Sequence, residues 1–243
     1  MVTGLKPKFG LEGRSMSKKV VVIAAHPDDE VLGCGGTIAR MAREGDSVHV
    51  LLMGDGESSR GDDGRVVDAN RLIIRNKAAT RACEILGCSS IDQLAFPDNR
   101  MDSLALLDVV RPIEVFINKH CPETVFTHHS GDVNIDHIIV HNAVIAACRS
   151  QPEFPVRELL FFEVPSSTEW RPPSSSAMFN PNWFVDISET LDLKLQALQA
   201  YNDELRPFPH PRSQKGVEAL AQWRGATAGV HAAEAFILGR KII

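Results

Sequence analysis

The sequence predicts an α/β fold, a single-domain three-layer sandwich built on a mostly parallel sheet. Three observations predict it. The apolar run Val20-Val21-Val22-Ile23-Ala24 shows no alternation, as expected of a strand buried on both faces. Strand-like runs alternate with helix-like segments along the chain, the pattern of a sheet covered by helices on both sides. At 243 residues, of which 44% are apolar, the chain can bury one full core.

The elements follow in order. After the first strand, Ile38, Met41 and Ala42 have helical spacing, and Gly45 stops that helix. Val48 to Leu52 reads as a second strand, and Gly54 to Gly64 as a polar loop long enough to serve a site. A helix from about Asn70 carries Ala79, Ala82, Cys83 and Leu86 on one stripe and stops at Gly87. Ile91 to Ala95 is a short strand. Leu104 to Lys119 is helical, with Pro112 kinking it or opening a second piece. Thr124 to Thr127 is a strand that leads into the polar stretch His128 to His137, and a helix then runs to Cys148. Leu159 to Glu163 and Trp183 to Asp186 read as strands, with a Pro- and Ser-rich loop, Pro165 to Pro181, between them. Ser188 is expected to cap a helix to Tyr201, and Ser213 to open one to about Ala226. Ala235 to Ile242 is a last strand or a helix end. Residues 1–17 hold no apolar signal segment and are expected to be a poorly ordered tail before a domain spanning 18–243.

Composition excludes several functions. A net charge of -5 gives no basic field for nucleic acid, and no apolar run approaches the length of a membrane span. The five cysteines are scattered with no C-x-x-C pair, which points to reduced thiols in the cytoplasm and to neither a zinc finger nor a disulfide scaffold.

The chemistry starts at Ala25-His26-Pro27-Asp28-Asp29-Glu30, directly after the first strand. An imidazole and three carboxylates in five positions are costly to keep together unless a cation or substrate uses them. Ligand sites of open α/β sheets lie at the carboxyl ends of strands. His26, Asp29 and, from the second polar stretch, His137 form a chemically complete catalytic zinc set of two imidazoles and one carboxylate. Asp28 must point elsewhere than Asp29 and is placed to act as general base. Glu30 is expected to cap the following helix or to bond backbone. Alternatively, Asp28 or Asp29 is simply the N-cap of a strand-to-helix turn without metal. Gly33-Cys34-Gly35-Gly36 lacks the G-x-G-x-x-G order of a dinucleotide site and reads as backbone that approaches the metal and substrate closely. His141, four residues after His137, is a weaker ligand candidate, and His128, His49 and His120 read as strand-end, surface or packing residues. Arg60, Arg65 and Asp98 lie on loops at the expected mouth and could bond hydroxyls of a substrate or a phosphate; Arg71 and Arg75 read as helix surface charges.

With A-H-P-D-D-E, the glycines behind it, Asp132-Val133-Asn134-Ile135-Asp136-His137, Phe96-Pro97-Asp98 and Pro209-His210-Pro211-Arg212-Ser213, the chain resembles the PIG-L (LmbE-like) N-acetylglucosaminyl deacetylases from about residue 18 onward. The resemblance implies a Rossmann-like fold, Zn2+ on His26, Asp29 and His137, Asp28 as base, and hydrolysis of an N-acetyl group on an amino sugar or sugar conjugate. It also implies a departure. Many members carry His where Asn134 stands, oriented by the Asp matching Asp136. Asn134 can donate to an oxyanion but cannot protonate an amine. The acid is then Asp28 returning its proton, or His210, or His129, with Arg212 beside His210 as a substrate contact. The His210 loop could reach this subunit's zinc or a neighbour's, so a homo-oligomer is an open expectation. Two other readings of the same residues are an amidase acting on a thiol-sugar conjugate or other N-acyl amide, and a non-catalytic sugar- or metal-binding module.

Overall fold

The computed structural model of the chain describes residues 17–59, 69–152, 154–172 and 178–243. Arg60 and Arg65, the tail before residue 17 and parts of both long loops lie outside the described residues. The elements are β1 (Lys19–Ala24), α1 (Asp29–Glu44), β2 (Ser47–Gly54), α2 (Ala69–Leu86), β3 (Ser90–Phe96), α3 (Leu106–His120), β4 (Thr124–His128), α4 (Ile135–Ala147), β5 (Glu158–Phe162), β6 (Trp183–Asp186), α5 (Leu191–Ala200), α6 (Gln214–Ala228) and β7 (Ala233–Lys241). Short 3-10 turns cover Met101–Ser103 and Asn202–Glu204.

Seven strands form one sheet in the order β3-β2-β1-β4-β5-β7-β6. The first five run parallel, and β7 runs antiparallel to both of its neighbours. The expected three-layer sandwich is therefore present. Val20, Val22 and Ala24 pack toward α1, α2, α5 and α6, whereas Val21 and Ile23 pack toward α3 and α4. Side chains alternate across a strand, so an unbroken apolar run requires a covered surface on each side. From β1 the chain winds one way to β2 and β3, and later the other way to β4 and β5. That reversal opens a crevice between the carboxyl ends of β1 and β4, where ligands bind in such sheets.

Several local readings change. Pro112 lies inside one continuous helix, α3, without opening a second piece. The last element is a strand, β7. Ser188 does not cap α5: its hydroxyl bonds Asp186 Oδ1 at 2.6 Å and accepts from Ala232 N, and the N-cap is Thr190. Ser213 does cap α6, accepting from Gly216 N. The glycines of α1 serve packing rather than the metal. A Cβ on Gly33 would lie 2.3 Å from the Phe162 ring, and one on Gly36 would lie 2.7 Å from Ile187. The close approach at the site comes instead from Gly54, whose Cβ would meet Ala25 O at 3.0 Å.

Helix α1 breaks its regular backbone at Cys34, φ -148 and ψ 22. The N–H groups just after the break, on Gly36 and Thr37, donate to the Glu234 carboxylate at 3.0 and 2.7 Å. Lys194 neutralises that carboxylate and donates to Leu32 O on the other side of the break. All of these groups are buried. Glu234→Ala would leave the Lys194 ammonium buried without its partner. We expect a loss of about 3–5 kcal/mol in stability, read from urea unfolding, and a smaller loss when Lys194→Met is added.

Candidate active site

His26 and Asp29 lie on either side of the turn from β1 into α1, three residues apart. His137 arrives from the first turn of α4, across the crevice, after β4. His26 Nδ1 is 3.3 Å and His137 Nε2 3.2 Å from Asp29 Oδ2. One donor atom from each of the three lies within 4.8 Å of the others. Asp29 and His137 are fully buried.

These atoms fit a cation better than they fit one another. Asp29 Oδ1 is buried without a hydrogen-bond partner among the described residues. Burial works against the Asp29 charge, and the His137 and His26 imidazoles overcome it, holding the carboxyl well below its usual range. Burial also disfavours charge on His137, but Asp29 and Asp132 outweigh it and push the imidazole up to about 9. Two nitrogens and one carboxylate suit zinc and leave a coordination position open.

Each imidazole is gripped from behind. His137 Nδ1 lies 3.0 Å from Asp132 Oδ2. Asp132 in turn accepts from Asn134 N and from the hydroxyls of Ser167 and Thr168. With its Nδ1 turned to Asp29, His26 presents Nε2 to Asp136 Oδ2 at 2.9 Å and Asp98 Oδ1 at 3.1 Å. Asp136 also accepts from Asn99 N and Met101 N, and Asp98 from the Ser59 hydroxyl. His26, Asp98 and Asp136 also lie close enough to share an ion. Their oxygens are already committed to backbone and hydroxyl donors, so this group fixes the His26 ring in place.

Asp28 stands apart. It occupies the N-cap position of α1 with a left-handed backbone, φ 115 and ψ -26, yet its side chain caps nothing. The carboxylate turns instead to Arg212, whose Nη1 is 3.1 Å from Oδ2. Burial, opposed by Arg212, pushes the Asp28 carboxyl up to about 6. Glu30 bonds backbone as expected, accepting from Asp28 N, and it also accepts from the Tyr201 hydroxyl. Burial pushes the Glu30 carboxyl up to about 8.

A cleft of about 90 Å³ opens over these groups, lined among others by His26, Asp28, Asp98, Asn134, Arg75 and Arg212. Asn134 caps α4: its Oδ1 accepts from Asp136 N, and its Nδ2 donates to Asn99 Oδ1. The Asp136 carboxylate is therefore directed to His26 and not to the Asn134 amide. His210 and His129 are not among the residues lining the cleft. His210 Nδ1 accepts from Arg212 N and its ring meets Trp170 edge-on, while the His129 ring meets Phe179. His141 is taken up by His128 O, and His128 stacks on His137 with Nε2 accepting from Ala25 N. The sequence reading missed Arg75, which is buried rather than a surface charge. It binds Glu57 and Glu204 and lines the cleft. Its signal was its place on the apolar stripe of α2, four residues before Ala79.

The PIG-L family model, described as GlcNAc-PI de-N-acetylase, matches residues 21–148. This chain belongs to the PIG-L family. It is 32% identical over 197 residues to the uncharacterized deacetylase YaiS of Escherichia coli K12, covering 79% of this chain and 94% of that protein. It is 28% identical over 222 residues to the diacetylchitobiose deacetylase of Thermococcus kodakarensis, covering 89% of this chain and 81% of the relative. The crystal structure of the 4-carboxy-2-hydroxymuconate hydratase of Pseudomonas putida superposes with a TM-score of 0.74 at 23% identity, covering 93% of this chain and 98% of that one. The PIG-L model and the two deacetylase relatives support a hydrolytic N-deacetylase. Among the described residues, no helix is long and apolar enough to cross a membrane.

We expect His26→Ala and Asp29→Ala to lose bound metal, read by elemental analysis. Asp132→Asn should keep the fold and weaken metal affinity about 10–100-fold, read by competition with a chelator.

Proposed function

We propose that this deacetylase uses zinc held by His26, Asp29 and His137 to remove an N-acetyl group from a small amino sugar or sugar conjugate. The observation that carries the proposal is the division of labour between two adjacent aspartates. Asp29 faces the imidazoles, and Asp28 faces the cleft with no ligand to hold. Zinc bound there would polarise the acyl oxygen and acidify a water molecule.

The chain's own residues do the rest. Asp28 accepts the proton of the attacking water, and Arg212 keeps its carboxyl available in charged form against burial. Asn134 Nδ2, which lines the cleft, donates to the oxygen on which charge develops, because Oδ1 is committed to the α4 cap. Asp28 then returns its proton to the leaving amine nitrogen, the role that an amide at position 134 cannot fill. His210 enters through Arg212, whose N–H it accepts. The cleft of about 90 Å³ offers several times the roughly 10–15 Å³ that one water needs, room for an acetamido group. The sugar ring then lies toward the mouth, near Asp98 and Arg212. The five free thiols fit a reducing cytoplasm.

The fold also serves a hydratase in Pseudomonas putida, so the assay must separate two outcomes. We expect acetate release from N-acetylglucosamine or N,N'-diacetylchitobiose, its loss with chelator and its return with zinc. Asp28→Asn should retain zinc while turnover falls about 10²–10⁴-fold. Acetate release that survives full metal removal would end the proposal. Hydration of 4-carboxy-2-hydroxymuconate without acetate release would end it equally and move the chain to the hydratase chemistry.

A further inference from the structure

The geometry points to Glu30 and Tyr201 as a positioning pair that holds the Asp28 backbone so that its carboxylate faces the cleft. The inference rests on the reading of Asp28 as base.

A residue with a Cβ resists a left-handed backbone, and Asp28 adopts one at φ 115. Something must hold it there. An N-cap aspartate ordinarily bonds its side chain to the helix amides, and a carboxylate inside the first turn reaches back to the N-cap N–H. Here only the second half of that exchange is made. Glu30 Oε2 accepts from Asp28 N at 3.1 Å, whereas the Asp28 side chain makes no cap bond and is released to Arg212. The helix start is therefore stabilised from Glu30, and the aspartate that would normally do this is free for chemistry.

Glu30 is itself fixed from a distant part of the chain. Tyr201, at the C-cap of α5, donates its hydroxyl to Glu30 Oε1 at 2.6 Å, and both side chains are only 2% exposed. Neither residue lines the cleft, so neither touches substrate. Helix α5 holds α1 a second time through Lys194 and Leu32 O. The contact from Tyr201 is thus aimed at the one turn whose shape decides where Asp28 points.

The test compares Tyr201→Phe, Glu30→Ala and Glu30→Gln with Asp28→Asn, measuring zinc content, kcat and KM on an acetylated sugar. Tyr201→Phe should lower kcat about 10-fold. Glu30→Ala should lower it about 100-fold, the penalty of a base displaced by roughly 1 Å. Zinc content and KM should hold in both. Glu30→Gln keeps an acceptor for the Asp28 N–H and should recover most of the Glu30→Ala loss. Should Glu30→Ala fail to fold, Tyr201→Phe and Glu30→Gln carry the comparison. Unchanged kcat in Tyr201→Phe and Glu30→Ala beside an inactive Asp28→Asn overturns the positioning role and leaves the base in place. Loss of zinc in step with kcat overturns it as well, because the pair then serves the ligands. Full turnover by Asp28→Asn removes the base itself, and this inference with it.

Discussion

Charge withdrawn from water governs this molecule. At the carboxyl ends of β1 and β4, His26, Asp28, Asp29, Asp132, Asp136 and His137 are all nine-tenths or more buried. Ionised groups in such a place are tolerated only when each meets an opposite charge or a hydrogen-bond donor. Almost every local feature around the crevice answers that demand. Asp136 sits on two backbone N–H groups, and Asp132 on two hydroxyls and one N–H. Arg212 answers Asp28. Among the described residues Asp29 Oδ1 is left without a hydrogen-bond partner, and it is an atom that a cation would take.

The support for the site is drawn from across the chain. The turn after β5 supplies Ser167 and Thr168 to Asp132, and its Ser166 hydroxyl holds Arg212 Nε. One short turn therefore touches both Asp132, behind His137, and Arg212, beside Asp28. The second arginine, Arg75, binds Glu57 from the loop after β2 and Glu204 from the turn after α5. The cleft walls are thus fixed by ion pairs between loops that the sheet alone would leave independent.

Much of this was legible in the residues. The Val20–Ala24 run gave a doubly covered strand because no polar side chain interrupts it, and the charged hexapeptide after it marked the crevice. The neighbouring histidine and aspartate stretch marked the opposite wall. What stayed hidden shares a physical cause: the partners are far apart in sequence. Nothing near Arg75 announces Glu204, so an arginine on an apolar stripe reads as a surface charge. Ser188 is drawn to Asp186 and Ala232 once β6 and β7 pair, and local capping preference cannot foresee that competition. The α1 glycines were assigned to the metal because they follow its ligands in order, whereas their bulk limit is set by Phe162 and Ile187.

The carboxylate of Glu234 closes the broken helix that begins at Asp29, more than two hundred residues earlier. During synthesis the catalytic turn therefore leaves the ribosome long before its brace exists. Contacts of such sequence separation form late and slowly. A nascent chain arrested before β7 would carry His26, Asp28, Asp29 and His137, yet lack the anchor that keeps α1 in place. Quality control acting on unfinished chains would then see an exposed, unbraced first layer until β7 is translated.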